Sequence, residues 1–172
     1  MAKEKYPELQ SHIQFVLHAH QNLAKNFENT VRGFDDETPY SVHPIWCATT
    51  IAAEPSLSRD LRIEGAIVLL YHDVNEDTTA VIPDRLPLAV RQSIEHMTFL
   101  GGMEQEMKEI WDKEPKIRLF KLYDKISNLL DATWMSHDYR KKYVNHTKNL
   151  LIDIEQQFGS LNITRIAHAI VD

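Results

Sequence analysis

The residues of this chain best suited to chemistry end a short apolar run, Ala66-Ile67-Val68-Leu69-Leu70-Tyr71-His72-Asp73-Val74-Asn75-Glu76-Asp77-Thr78. A helix that is apolar on nearly every side belongs in a core, where an unpaired carboxylate is costly or gives up its charge. Asp73 therefore calls for a cationic partner. Adjacent imidazole and carboxylate are hard-to-borderline ligands suited to Mn²⁺, Fe²⁺, Zn²⁺ or Mg²⁺. The alternative is a buried His–Asp hydrogen bond with no metal. Glu76 and Asp77 follow Asp73 at three and four residues, so on a continuing helix or a turn they project near the same pocket. His72, Asp73, Glu76 and Asp77 would repel or compete without a cation or bound water among them, which favours the metal. His137-Asp138 is a second His-Asp pair, but no apolar run leads into it and Arg140-Lys141-Lys142 follows, so it reads as surface.

A metal site needs ligands from more than one segment. Thr38-Pro39-Tyr40-Ser41-Val42-His43-Pro44 places a histidine at a helix start, because proline favours the first helical position, where its missing N–H is not needed. His43 is either a ligand aimed by that turn or an ordinary cap. Along Ile117 to Asp131, the residues Ile117, Phe120, Asp124, Asn128 and Asp131 recur at three or four, so Asp124 lies on a partly apolar face. An acid in that setting needs a partner. It is a candidate fourth ligand, although Lys121 or Lys125 on neighbouring rows could pair with it in a salt bridge.

These residues together carry a family resemblance. His43, then His72-Asp73, then Asp124 resembles the signature of the HD-domain metal-dependent phosphohydrolases. Thr38-Pro39-Tyr40-x-x-His43-Pro44, Leu69-Leu70-x-His72-Asp73-Val74-x-Glu76-Asp77-Thr78 and Lys121-Leu122-x-Asp124-Lys125-x-x-Asn128-Leu129 are similar to the hydrolase domain of the bifunctional alarmone synthetase/hydrolases. They are closer still to the free-standing small alarmone hydrolases (Mesh1-like). The similarity runs from about residue 19 to residue 131. It implies an all-α helical bundle that removes the 3′-diphosphate of guanosine 3′,5′-bis(diphosphate), ppGpp, with one Mn²⁺ ion. It implies His43, His72, Asp73 and Asp124 as metal ligands, Glu76 and Asp77 as the catalytic pair that handles the attacking water, and Asn128 as a substrate-side contact. A divalent ion that acidifies water, with a carboxylate beside it to orient or deprotonate that water, is chemically consistent with this division.

The chain departs from the family around the nucleotide. The family's Arg-Lys pair upstream of the Pro-Tyr-x-x-His segment is represented by Arg32 followed by Gly33, and Phe34-Asp35-Asp36-Glu37 makes the loop acidic. Ala19-His20 is followed by Gln21-Asn22 rather than by the family's Gly-Gln. Cations for a distal phosphate are Arg32 and a row formed by Lys116, Arg118, Lys121 and Lys125, which reads equally as a solvated helix face. The expectation is weaker binding of the tetraphosphate, or a preference for a less charged relative. Two alternatives remain: an HD-type 5′-nucleotidase, with Asp84 as the downstream acid, and a non-catalytic nucleotide sensor.

Composition sets bounds around this reading. A chain of 172 residues is expected to form a single domain over residues 1–172. The net charge of −6 argues against broad electrostatic binding of nucleic acid. A small phosphorylated nucleotide remains acceptable, because a metal supplies a local positive field. A lone cysteine, Cys47, allows no internal disulfide and is expected to pack as a small apolar group. Met1 to Pro7 has no signal-peptide character and no apolar run reaches membrane-spanning length, so a cytoplasmic protein with no membrane partner is expected.

The elements that must position these groups are helices. Leu9, Ile13, Val16, His20, Leu23 and Phe27 keep a helical period that begins near Pro7. A loop over 26–41 follows, then helices over 44–53, from a Ser58 cap to His72-Asp73, and over 87–100, 103–112, 115–135, 138–158 and 160–171, about eight in all. Tyr139, Tyr143, Leu150, Ile154 and Phe158 read as packing positions. His12, His18, His96, His146 and His168 stand outside any motif and read as structural or exposed.

Overall fold

The computed structural model describes residues 7–171; the Met1–Tyr6 lead lies outside them. The α helices in chain order are α1 (Pro7–Asn22), α2 (Val42–Ala52), α3 (Arg59–Tyr71), α4 (Val74–Asp77), α5 (Leu88–Met97), α6 (Gly102–Glu109), α7 (Pro115–Leu130), α8 (His137–Phe158) and α9 (Asn162–Val171). Eight of these are eight residues or longer, and α4 is a single turn. Two isolated bridges, Ala24 with Thr78 and Val31 with Pro39, stand in place of a sheet among the described residues.

Helix α7 is the centre of the bundle, packing on α2, α8 and α9. Ile117, Leu119, Phe120, Leu122, Tyr123 and Ile126 are all buried, so the helix is apolar on more than one face and must be enclosed. The run Val68-Leu69-Leu70-Tyr71 at the end of α3 is likewise buried, each aliphatic contributing about 1.5–3 kcal/mol. Ser58 accepts from Leu61 N at the start of α3, as its position implied, and Ser136 does the same for Tyr139 N at α8.

The close approach of α2, α3 and α7 depends on Gly65. A Cβ there would lie 2.5 Å from Ile51 Cδ1 and 2.7 Å from Phe120 Cε1. Gly65→Val is therefore expected to destabilise the fold by about 2–3 kcal/mol through overpacking, read as a lower urea midpoint.

Three helix ends differ from the sequence expectation. Helix α1 stops at Asn22, and Phe27 lies in a short 3₁₀ turn, 64% exposed. The apolar period ran on past the chain's turn toward Thr78, which the Ala24 bridge and Lys25 N to Asp77 O bond enforce. Helix α7 ends at Leu130 rather than Met135, because Asp131 turns away at φ −126°, ψ 36° and a 3₁₀ turn over Ala132–Trp134 follows. The helix expected to reach Leu100 ends at Met97, where Thr98 is extended. Gly102, at φ 67°, then begins α6 in a backbone conformation that glycine alone adopts freely.

Candidate metal centre and its cleft

Three segments bring four side chains together around the His43 and His72 imidazoles. His43 is in the first turn of α2, His72-Asp73 forms the junction of α3 with α4, and Asp124 lies mid-way along α7. His43 Nε2 and His72 Nε2 are 3.2 Å apart. Asp73 Oδ2 is 3.4 and 3.1 Å from those two nitrogens, and Asp124 Oδ1 is 3.3 and 3.6 Å from them. Ligands held about 2.0–2.2 Å from one ion stand about 2.8–3.6 Å apart at octahedral to tetrahedral angles. All these separations fall within that interval; His43, His72 and Asp73 have ligand atoms all within 4.8 Å of one another, Asp124 faces the two imidazoles from outside that group, and all four residues are buried.

The surrounding contacts aim these atoms. His72 Nδ1 donates to the Leu69 carbonyl at 2.8 Å. A carbonyl only accepts, so the neutral ring keeps its proton on Nδ1 and presents an Nε2 lone pair to the cluster. His43 Nδ1 pairs with the Ser127 hydroxyl at 2.8 Å. Tyr40 donates to Asp73 Oδ2 at 2.7 Å, and its ring lies under His20, with centroids 4.7 Å apart. Asn128 donates to Asp124 Oδ1 at 2.8 Å. Outer partners of this kind orient metal ligands and fix their tautomers.

The electrostatics agree with a cation at the centre. Burial alone would lower the His72 imidazole, yet the Asp73 charge and the hydrogen bonds to Asp124 and Asp73 hold it up at about 10. Against the upward push of burial, the His72 charge holds Asp73 well below the usual carboxylate range, and Lys121 and Lys125 do the same for Asp124. Two imidazoles and two carboxylates, satisfied from behind and open toward one another, fit a divalent cation. The Asp124–lysine pairing, which the sequence left as an alternative, is also present: Lys121 Nζ is 3.1 Å from Asp124 Oδ2, leaving Oδ1 to face the imidazoles.

Glu76 and Asp77 follow on α4 and line a cleft of about 510 Å³ that opens from the cluster. Phe99 N donates to Glu76 Oε1 at 2.6 Å. Lys25 Nζ donates to the Asn75 and Glu76 carbonyls at 2.9 and 2.6 Å, pinning the turn that carries both acids. Burial, followed by the charge of Asp73, raises both carboxyls, Asp77 to about 7. The remaining acids of the wall are Glu28 and Glu106; its rings come from Tyr40, Phe99, Trp134, Tyr139 and Tyr143.

The three residues expected to contact substrate, Arg32, Lys121 and Asn128, all line this cleft. Each already has protein partners of its own. Arg32 donates through Nε and Nη2 to both Asp131 oxygens at 2.8 Å and through Nη2 to Asn128 Oδ1 at 2.9 Å. Asn128 thus bridges Arg32 to Asp124. The expected cationic row on α7 is dispersed by the helical twist: Lys116 pairs with Glu64 and Arg118 with Asp153, while Lys121 and Lys125 turn inward to Glu106. Tyr139 and Tyr143, read as packing positions, also form cleft wall. Asp84, the acid of the nucleotidase alternative, is fully exposed outside the cleft, 3.2 Å from Arg91. His137-Asp138 is on the surface, as read. His12 and His146 are structural, bonded to Tyr71 and Glu106, and Cys47 is buried.

Glu106 escaped the sequence reading because its partners lie on other helices. It is buried and holds Lys125 Nζ at 2.7 Å, Lys121 Nζ at 3.4 Å and His146 Nε2 at 3.2 Å. Burial pushes its carboxyl up, but Lys125 and Lys121 more than offset this and lower it to about 2. Its folded value is depressed, so its stabilisation is complete above the unfolded value near pH 4.3 and fades as pH falls toward about 2. Glu106→Gln leaves a buried charge less well paired and should cost about 3 kcal/mol near pH 7. The gap between wild type and variant, measured by urea unfolding, should narrow as the pH falls through that window.

No family model and no curated protein sequence matches the chain. A solved structure does. It is that of a protein described as a metazoan ortholog of SpoT that hydrolyses ppGpp and plays a role in starvation responses. The match covers 98% of this chain and 96% of that one, with a TM-score of 0.73 at 21% identity. The chain therefore shares the fold of that protein, and it is the all-α bundle that the motifs led us to expect. Among the described residues no helix is long and apolar enough to cross a membrane.

Proposed function

We propose that the chain is a metal-dependent phosphohydrolase of nucleotides, with ppGpp and related guanosine 3′-diphosphates as its substrates. The observation that carries this reading is the His43, His72 and Asp73 cluster with Asp124 against its imidazoles, and two further carboxyls at the mouth of a nucleotide-sized cleft. The shared fold with a ppGpp-hydrolysing protein supports it.

His43, His72, Asp73 and Asp124 would hold one divalent ion, and Mn²⁺ fits this mixed nitrogen and oxygen donor set. The chemistry such an ion supplies when bound is Lewis acidity toward water and toward a phosphoryl oxygen. The protein's own groups supply the rest. Glu76 is fixed at Oε1 by Phe99 N, which leaves Oε2 to orient and deprotonate the attacking water. Asp77, raised to about 7, is poised to deliver a proton to the ribose 3′ oxygen as its bond to phosphorus breaks. Tyr40 and Asn128 keep the Asp73 and Asp124 carboxylates in place.

Incubation of the purified protein and Mn²⁺ with a panel of nucleotides, followed by analysis of released phosphate and pyrophosphate, tests the reading. Release of pyrophosphate from ppGpp is the expected result. Efficient turnover of 5′-monophosphates alone would return the protein to the nucleotidase class, and binding without turnover would make it a sensor.

A further inference from the structure

Resting on that function, we infer that the cleft holds guanosine 3′-diphosphates by stacking the base on an aromatic shelf and disfavours a second phosphate at the 5′ position. The shelf is Trp134, Tyr139 and Tyr143, with successive ring centroids 6.0 and 5.9 Å apart. Trp134 is 46% exposed, an unusual cost for a large ring, and it lies so close over Gly33 that a Cβ added there would come within 3.3 Å of its Cγ. Base–aromatic stacking is a recurrent use of such a surface.

The charges of the cleft point the same way. Among the described residues its wall has six carboxyl groups and three cations, Arg32, Lys121 and Lys125. Each cation is buried and held by a carboxylate: Arg32 by both oxygens of Asp131, and the lysines by Glu106 and Asp124. Recruiting either lysine to a distal phosphate would strip the buried Glu106 or Asp124 of its partner, and recruiting Arg32 would break its two-pronged pair with the half-buried Asp131. Lys142, in the adjoining hollow, sits with Glu104 and Asp138. A divalent ion at the cluster offsets part of the acidic excess but serves the reacting 3′ group. A 5′-diphosphate would thus enter a field that repels it, whereas the uncharged base meets the rings.

The test is calorimetric titration of the metal-loaded wild-type protein with guanosines that carry a non-hydrolysable 3′-methylenediphosphonate and a 5′-hydroxyl, 5′-monophosphate or 5′-diphosphate. Affinity is expected to fall at least tenfold on addition of the second 5′ phosphate. Trp134→Ala should weaken all three ligands about tenfold and preserve their ranking, with Tyr139→Leu as the second probe of the shelf. Glu28→Lys, an exposed change at the rim, should narrow the gap between mono- and diphosphate. Tighter binding of the 5′-diphosphate, or unchanged affinities in both shelf variants, overturns the inference while leaving the proposed function standing. Retention of metal with no binding of any of the three overturns the proposed function itself.

Discussion

His72→Ala and Asp124→Ala are each expected to abolish metal binding and hydrolysis together. The two residues come from different helices, and each contributes a donor atom within 3.6 Å of another candidate ligand, so neither can be replaced by its neighbours. Metal analysis of the reconstituted protein should give one divalent ion per chain for the wild type and none for either variant. Metal should also raise the wild-type unfolding midpoint, by the equivalent of about 2.7 kcal/mol at a hundredfold excess over Kd, and leave both variants unmoved. The variants should differ when metal-free. Asp124→Ala deprives the buried Lys121 of its nearer carboxylate and should be less stable than His72→Ala. A wild-type protein that takes up no ion and shows no metal-dependent shift would disprove the assignment.

Glu76→Gln separates holding the ion from using it. The change keeps the volume and the acceptor for Phe99 N but removes the negative charge. Metal content should stay near that of the wild type, while kcat falls by roughly 10² to 10⁴, the usual contribution of a positioned general base. KM should change little if the carboxylate acts mainly in the transition state. Loss of the ion in this variant would make Glu76 a ligand, and unchanged kcat would remove it from the reaction.

The sequence by itself determined the groups whose environment is local. The apolar run into His72-Asp73 announced a buried acid and imidazole, because helical burial and the need to satisfy a carboxylate are both readable from neighbours in the chain. Asp124 stood out as an acid on a largely apolar helix, and Ser58 as a cap, for the same reason. The all-α class followed from the helical period of the apolar residues and the lack of an alternating one.

Only the tertiary structure decided where charges are spent. Arg32 looked like a free phosphate contact until its guanidinium was seen clasping Asp131, 99 positions away. Lys121 and Lys125 looked like part of an exposed row until α6 laid Glu106 against them. Tyr143 and Tyr139 had the spacing of packing residues, and packing alone could not tell that their helix borders a cleft. A period reports which face of a helix is apolar but not which element covers it. A side chain's charge is visible in sequence, whereas its partner is chosen by the path of the chain between them.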